Sequence, residues 1–237
     1  MSGHSKWANI KRKKETNDKM KGNIFGKLSH LITLSVIEGE GKTDPDNNVK
    51  LRLAIEKAHA ANMPKENIKR AIDKGIGPDK SQIKEIIYEG FGPYGVSLII
   101  LATTDNQNRT LSEIRNILEK HQGKLSNSGS VSYQFQKCGL IVFDKSQVDQ
   151  DKILTIGDQL KAFDITEMED RFYLYFPYEH LGHIKNLLKD VKYESAEVDF
   201  KPRTIIPLTD DEKIKKISEL IDLLEASDDI QKVFTNL

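Results

Sequence analysis

The chain has 237 residues, of which 38% are hydrophobic and 30% are charged, and it contains one cysteine. This length favours two or three domains with buried cores over a single compact domain, and one cysteine excludes an intrachain disulfide. No apolar stretch approaches the roughly 20 residues of a membrane helix, and the first residues lack the apolar core of a secretory signal. We therefore expect a cytoplasmic protein with no membrane partner.

Charge is distributed unevenly along the chain. The formal net charge is zero, but residues 1–80 carry 17 Lys and Arg against 10 Asp and Glu, and residues 81–237 carry 19 against 26. The two parts therefore have net charges of +7 and −7. Because a basic end attracts phosphate and an acidic remainder repels it, we predict that nucleic acid binds through the N-terminal third.

Residues 1–16 are predicted to form a basic tail. Trp7, the only tryptophan, stands close to Lys6 and to the cationic run of residues 11–14. An aromatic ring beside cations is typical of nucleic-acid contact, because the ring stacks on an unpaired base while the cations hold phosphates. The alternative is that the indole anchors the tail to the helices that follow. In the tail and in these helices, the predicted nucleic-acid-binding residues are Lys6, Trp7, Lys11, Arg12, Lys13, Lys14, Lys19, Lys21, Lys27, Lys65, Lys69 and Arg70.

Residues 17–80 have the apolar period of a small helical bundle. The first of three predicted helices ends near Gly39, because glycine readily takes the backbone conformation that closes a helix. The second is predicted to open at Asp44-Pro45, since proline is favoured in a first helical turn. The third opens at Pro64 and ends at Gly75. The outer surfaces of this helical domain carry many Lys and Arg.

The period changes from helix to strand after Gly77-Pro78, where we place a domain boundary. The predicted elements up to residue 136 are strands at 85–88 and 96–103, a helix at 111–121 and a third strand at 131–135. A last helix at 214–224 and a strand at 231–234 end the chain. Since these two elements have no partner of their own, we predict that residues 81–136 and 204–237 are two halves of one α+β domain.

Residues 137–203 separate those halves and form a self-contained series. Its predicted order is strand 140–143, helix 152–162, strands 165–169 and 172–176, helix 179–189 and strand 196–200. This βαββαβ order is that of the ferredoxin-like fold. The predicted fold class is therefore α+β multidomain, with an N-terminal helical bundle and a split α+β middle domain into which a ferredoxin-like domain is inserted.

Two polar loops are candidate binding sites. One joins a strand to a helix around residues 106–110, and the other, at residues 126–130, reads Ser-Asn-Ser-Gly-Ser. The same residue types could equally cap a helix and form turns. The candidate binding residues in these loops are Asn106, Asn108, Arg109, Ser128 and Ser130.

The remaining motifs do not indicate catalysis. Residues 90–95 match G-x-G-x-x-G, but a strand follows instead of a helix N-terminus that would receive a pyrophosphate, so we predict a hairpin. Ser128 lies in no nucleophile elbow. His180 and His183 have no acidic or cysteine ligand at matching spacing. We predict a protein that is not an enzyme and has no catalytic residues, metal or cofactor.

Five segments carry a family resemblance: residues 3–11 (GHSKWANIK), 62–68 (NMPKENI), 88–93 (YEGFGP), 104–110 (TDNQNRT) and 128–131 (SGSV). In this order they resemble the YebC/PmpR family over nearly the whole chain. That family includes bacterial proteins described as probable transcriptional regulators and a mitochondrial translational activator of cytochrome c oxidase subunit one. The resemblance implies a helical domain and two α+β domains, the third inserted into the second. Tyr94 departs from the pattern, because the family often has glycine at this position.

The resemblance also implies regulation of gene expression through nucleic acid. Two modes stay open: DNA binding that alters transcription, and binding to ribosomal RNA or the ribosome that helps translation of difficult sequences such as proline runs. The third helix opens with Pro64-Lys65-Glu66-Asn67, which is unlike the base-reading start of a helix-turn-helix recognition helix. Trp7 on a basic tail suits the unpaired bases of structured RNA better than an intact duplex.

Overall fold

A computed structural model describes residues 21–77, 83–168, 170–189 and 191–237. Within these ranges the protein is mixed α+β, with seven α-helices and two antiparallel four-stranded sheets. The helices are α1 (Lys21–Glu38), α2 (Val49–Ala60), α3 (Lys65–Ile76), α4 (Gln107–Lys120), α5 (Gln150–Leu160), α6 (Ile184–Leu187) and α7 (Asp211–Glu225). The strands are β1 (Lys84–Phe91), β2 (Ser97–Thr104), β3 (Lys124–Ser126), β4 (Phe135–Asp144), β5 (Asp164–Met168), β6 (Arg171–Pro177), β7 (Ser195–Pro202) and β8 (Ile230–Thr235). Of the helices in these ranges, none is long and apolar enough to cross a membrane.

The chain divides into two compact units. One contains the residues up to 135 together with residues 202–237, and the other contains residues 136–201. The limits of this second unit lie within one or two residues of the segment for which an inserted domain was predicted, 137–203.

Helices α1, α2 and α3 of the first unit pack around one small core. Its buried residues are Leu28, Ile32, Val36, Leu51, Ala54, Ala58, Met63, Ile68 and Ala71. Gly75 was predicted to end the third helix, but it lies inside α3, where a Cβ would stand 2.6 Å from the Cβ of Val36. Glycine at this position therefore lets α1 and α3 approach closely, and the helix continues to Ile76.

The N-terminus of α2 is set by Asn48. Its side-chain oxygen accepts the N–H of Leu51 at 3.1 Å, and its Nδ2 donates to the carbonyl of Ser35 at 2.8 Å. The prediction that Asp44-Pro45 opens this helix is wrong, because these two residues lie in the preceding turn. A buried amide that caps the helix and also ties it to α1 decides the boundary more strongly than a favourable proline.

The sheet of the first unit has the strand order β3-β1-β2-β8, with antiparallel neighbours. One of its faces forms a core with α4 and α7, which includes Leu98, Ile100, Ala102, Ile114, Leu118, Ile217, Leu220, Leu224 and Val233. Ile99, which the alternation of a strand places on the opposite face, is also fully buried. Helix α1 packs against β2, so the helical part and the sheet belong to one compact body.

The strand predicted at residues 131–135 is wrong, since the third strand of this sheet is β3. Ser132–Gln134 form a 3-10 turn instead. The N–H groups of Val131 and Ser132 donate to the buried Glu89 carboxylate at 2.7 and 2.9 Å. Donors that are satisfied by a side chain in this way are no longer available for a strand ladder.

The second unit is built around the sheet with the order β5-β6-β4-β7. Its succession of β4, α5, β5, β6, α6 and β7 is the βαββαβ order expected of a ferredoxin-like segment. The helix predicted at residues 179–189 is shorter than expected, since Tyr178–His183 form a 3-10 turn and only Ile184–Leu187 are α-helical. Gly182 lies at this change, and glycine destabilises an α-helix by about 1 kcal/mol relative to alanine.

Candidate nucleic-acid interface

Seven of the predicted nucleic-acid-binding residues belong to the N-terminal segment. They lie outside the described residues, so their role stays a prediction: Lys6, Trp7, Lys11, Arg12, Lys13, Lys14 and Lys19. Lys21 is the first residue of α1.

Helix α3 presents exposed cations. Its inner side buries Ile68, Ala71 and Gly75. Its exposed cations, which we call the α3 surface, are Lys65, Lys69, Arg70 and Lys74. Arg70 donates to the side-chain oxygen of Asn67 and, at 3.4 Å, to the carbonyl of Glu66, which holds the guanidinium along the helix. The exposed acids Glu66 and Asp73 leave the helix with a net charge of +2.

Lys27 does not belong to that exposed set. It is half-buried, and its ammonium donates to the backbone carbonyl of Glu225 at the end of α7. Burial lowers the pKa of Lys27, and the nearby carboxylates of Glu225 and Asp228 oppose this shift. The lysine therefore ties α1 to α7 within the first unit, and its role in nucleic-acid binding stays a prediction.

The predicted loop at residues 106–110 surrounds a buried carboxylate, that of Asp229. This side chain is 4% exposed. Its Oδ2 lies 2.7 Å from the Thr110 hydroxyl and 3.1 Å from the Thr104 hydroxyl, and it accepts from the Arg109 guanidinium at 2.9 Å. Burial by itself raises the pKa of Asp229. The hydrogen bonds from Thr110, Arg109 and Thr104 together outweigh burial, so the pKa lies below its ordinary value. We call these four residues the Asp229 cluster.

Asn106 and Arg109 thus make contacts within the protein, although both are exposed. Asn106 caps α4 by accepting the N–H of Arg109 at 3.1 Å, and Arg109 is also paired with exposed Asp105 at 3.0 Å. Asn108 is exposed. Sequence reasoning missed Asp229, since nothing near residues 228–229 signals a partner for a loop so distant in the chain. Only the pairing of β8 with β2 brings them together.

The second predicted loop is held by Glu89. Its carboxylate is 4% exposed and accepts the N–H groups of Gly129, Val131 and Ser132 at 2.8, 2.7 and 2.9 Å. Burial by itself raises the pKa of Glu89. The backbone donors together outweigh burial, so the pKa of Glu89 lies below its ordinary value. Ser128 remains exposed at the surface of the loop, and Ser130 is half-buried.

The G-x-G-x-x-G segment is a hairpin, as predicted. Phe91 at the end of β1 pairs with Ser97 at the start of β2, and Pro93–Gly95 form the turn between them. Tyr94 has a φ of 62°, in the left-handed region where glycine is favoured. The glycine that the family resemblance implies at this position would take the same φ without strain.

The two neighbouring histidines contact each other and the backbone. The rings of His180 and His183 stack with centroids 5.5 Å apart, and His180 Nδ1 lies 2.7 Å from the carbonyl oxygen of Leu160. Across the described ranges, no group of three His, Cys, Asp or Glu side chains is placed to hold a metal ion.

The architecture is therefore that of a mixed α+β protein in which a helical part with exposed cations packs on a split sheet. Residues 5–78 match the family described as TACO1/YebC protein N-terminal domain, and residues 83–237 match the TACO1/YebC second and third domain. The chain belongs to the TACO1/YebC family.

Relatives cover the whole chain. It is 43% identical over 241 residues to the Probable transcriptional regulatory protein Teth39_1009 of Thermoanaerobacter pseudethanolicus, covering 100% of this chain and 97% of the relative. It is 42% identical over 240 residues to a Probable transcriptional regulatory protein of Acetivibrio thermocellus, covering 100% and 98%. The crystal structure of a conserved hypothetical protein, Aq1575 of Aquifex aeolicus, matches with a TM-score of 0.83 and 39% identity, covering 92% of this chain and 90% of that one.

Proposed function

We propose that this protein is a regulator of gene expression that acts in the cytoplasm by binding nucleic acid, without catalysis and without a metal or cofactor. The observation that carries the proposal is the match over the full chain to relatives named probable transcriptional regulatory proteins. Regulation of transcription through DNA is the mode that these names favour.

The charge distribution supports a site in the N-terminal third. Residues 1–80 have a net charge of +7, and the described part of this segment includes the α3 surface, whose four cations are exposed. A surface of this kind binds phosphates, and phosphate contacts supply affinity without reading sequence. Asn67 near the start of α3 is engaged by Arg70, so its side chain would have to give up that bond to read a base.

A second candidate function is binding to ribosomal RNA or the ribosome to help translation of difficult sequences such as proline runs. It is favoured by Trp7 among the cations of residues 6–14, since an aromatic ring stacks on unpaired bases, which RNA loops offer. Trp7→Ala should then weaken binding to ribosomes by roughly 1 to 3 kcal/mol and binding to a promoter duplex far less. Equal losses on both would indicate that Trp7 only anchors the tail.

The main test compares charge variants on a DNA duplex and an RNA hairpin with equal numbers of phosphates. One variant replaces Lys65, Lys69 and Arg70 with alanine, and a second replaces the four cations of residues 11–14. We expect each variant to weaken binding. On the duplex, the first variant should reduce the slope of log K against log salt concentration by up to about 2.7, since each phosphate contact contributes about 0.9. The matched control replaces Lys215 and Lys216, which are exposed on α7. Unchanged dissociation constants for both test variants at low salt would overturn the proposal.

A further inference from the structure

Tyr133 is unusually exposed for an aromatic side chain. At 70% it is the most exposed large hydrophobic residue in the described ranges. It lies in the middle of the Ser132–Gln134 turn, directly after the loop that Glu89 holds. A ring left in water adds little to the stability of a core, and it is available for contact with a partner.

The turn is tied down on both sides of Tyr133. On one side, the Ser132 N–H donates to Glu89 at 2.9 Å. On the other side, the Gln134 backbone carbonyl accepts the N–H of Arg203 at 2.7 Å. The side-chain Oε1 of Gln134 lies 3.0 Å from the Ser97 hydroxyl. The Gln134 amide is further held by Asn236 Nδ2 at 3.2 Å.

The same Gln134 side chain contacts the tyrosine itself. Its Nε2 donates to the Tyr133 hydroxyl at 3.2 Å. The hydroxyl is thus restrained by a glutamine that is anchored on β2 and on the C-terminal segment, while most of the ring stays in solvent. This is a pre-organised aromatic surface, for which binding requires little additional loss of side-chain entropy.

The exposed residues of the loop before Tyr133, and the residue bonded to its turn, are polar or cationic. Arg203 is exposed, and its backbone N–H joins it to the turn by donating to the Gln134 carbonyl. Asn127 and Ser128 are exposed in the preceding loop, and a Cβ placed on Gly129 would meet nothing within 4 Å. An exposed ring, with small polar groups in the loop before it and an exposed arginine attached to its turn, suits a nucleotide whose base lies on the ring and whose phosphate is within reach of the cation.

We propose that Tyr133 stacks on an unpaired base of single-stranded nucleic acid, with Arg203 beside it for the backbone phosphate. The site lies on the α+β part of the first unit and is separate in sequence from the tail and from the α3 surface. This inference rests on the proposed function, because it presumes that the protein binds nucleic acid.

The test uses the full chain with Tyr133→Ala and Tyr133→Phe. The probes are an oligouridylate of about 12 nucleotides, its DNA counterpart, and an abasic oligomer with the same number of phosphates. Tyr133→Ala should weaken binding to the base-containing strands by about 5- to 150-fold, the range that the removal of one stacking aromatic produces. Tyr133→Phe should lose much less affinity, since the ring is kept and only the bond from Gln134 to the hydroxyl is removed. A loss on RNA alone or on DNA alone would support the site and identify its ligand.

Several outcomes would overturn the assignment. A loss of binding by Tyr133→Ala counts only if this variant unfolds at the wild-type temperature. If it does not, the binding of Tyr133→Phe is compared with that of the wild type. Binding by Tyr133→Ala equal to that of the wild type, or an equal loss on the abasic oligomer, would show that the ring does not stack on a base. If the α3 and tail variants weaken binding while Tyr133→Ala does not, only this assignment fails. If the wild type binds none of these single strands but binds the DNA duplex or the RNA hairpin, again only this assignment fails. If it binds neither kind of probe, the proposed function fails with it.

Discussion

The Arg109 guanidinium donates to the Asp229 carboxylate at 2.9 Å, across 120 residues of sequence. Arg109 belongs to the segment TDNQNRT, which has the appearance of a binding loop. In the folded protein this segment closes the junction of β2 and α4 onto the residue before β8. The Asp229 cluster is therefore a joint between the two sequence-distant parts of the first unit.

Replacing Asp229 with alanine should destabilise the protein by about 2 to 4 kcal/mol. The substitution removes the carboxylate that the buried hydroxyls of Thr104 and Thr110 contact and one of the two acidic partners of Arg109. Urea denaturation measures the loss. The control is Asp105→Ala, which removes the other partner of Arg109 at an exposed position and should cost less than about 1 kcal/mol. Equal losses would contradict a special role of the buried carboxylate.

Stability should decrease as the pH falls below about 4.5. The pKa values of Glu89 and Asp229 lie below their ordinary values of 4.5 and 3.8 in the folded protein, so on acidification the unfolded chain takes up protons first. Their contribution is present above those ordinary values and is lost as the pH falls through the folded-state values. Unfolding free energies measured from about pH 7 down to about pH 3 test this.

Glu89→Gln isolates the contribution of one carboxylate to the loss of stability at low pH. The variant should be less stable than the wild type near neutral pH, because a charged acceptor of three N–H groups is replaced by a neutral one. Its stability should also decline less on acidification. A pH profile parallel to that of the wild type would show that Glu89 does not titrate differently on unfolding.

Lys27→Ala should leave the salt dependence of nucleic-acid binding unchanged, because its ammonium is engaged by the Glu225 carbonyl. Lys69→Ala on the α3 surface should reduce the slope on duplex DNA by about 0.9, the value for one phosphate contact. Dissociation constants at several salt concentrations measure both slopes. A reduced slope for Lys27→Ala with unchanged stability would place that lysine in the interface after all.

Gly75→Ala should destabilise the protein by about 1 to 3 kcal/mol although alanine is the better helix former. The added Cβ would stand 2.6 Å from the Cβ of Val36 and 3.0 Å from the carbonyl oxygen of Thr33, so α1 and α3 would have to separate. Gly77→Ala is the control, since its Cβ would lie 3.6 Å from its nearest neighbours. A stabilised Gly75→Ala would mean that the two helices move apart at little cost. Thermal unfolding of both variants decides the sign.

The sequence alone was sufficient for the elements whose evidence is local. Apolar periods placed most helices and strands, and the strand that follows residues 90–95 identified a hairpin, because a dinucleotide site needs a helix there. The charge asymmetry and the family resemblance likewise depend only on residue order, and the family is confirmed by matches to residues 5–78 and 83–237.

Tertiary structure decided every feature that depends on a distant partner. Asn48 fixes the start of α2 by its bond to α1, and Gly75 allows α3 to pack closely on α1. Glu89 binds the backbone of the segment 131–135, which forms a loop and turn where a strand was predicted. Lys27 looked like the other lysines of its segment until α7 came to lie beside it. A periodic pattern reports which side of an element is buried, whereas a buried polar group takes its role from whatever the fold brings within about 3 Å of it.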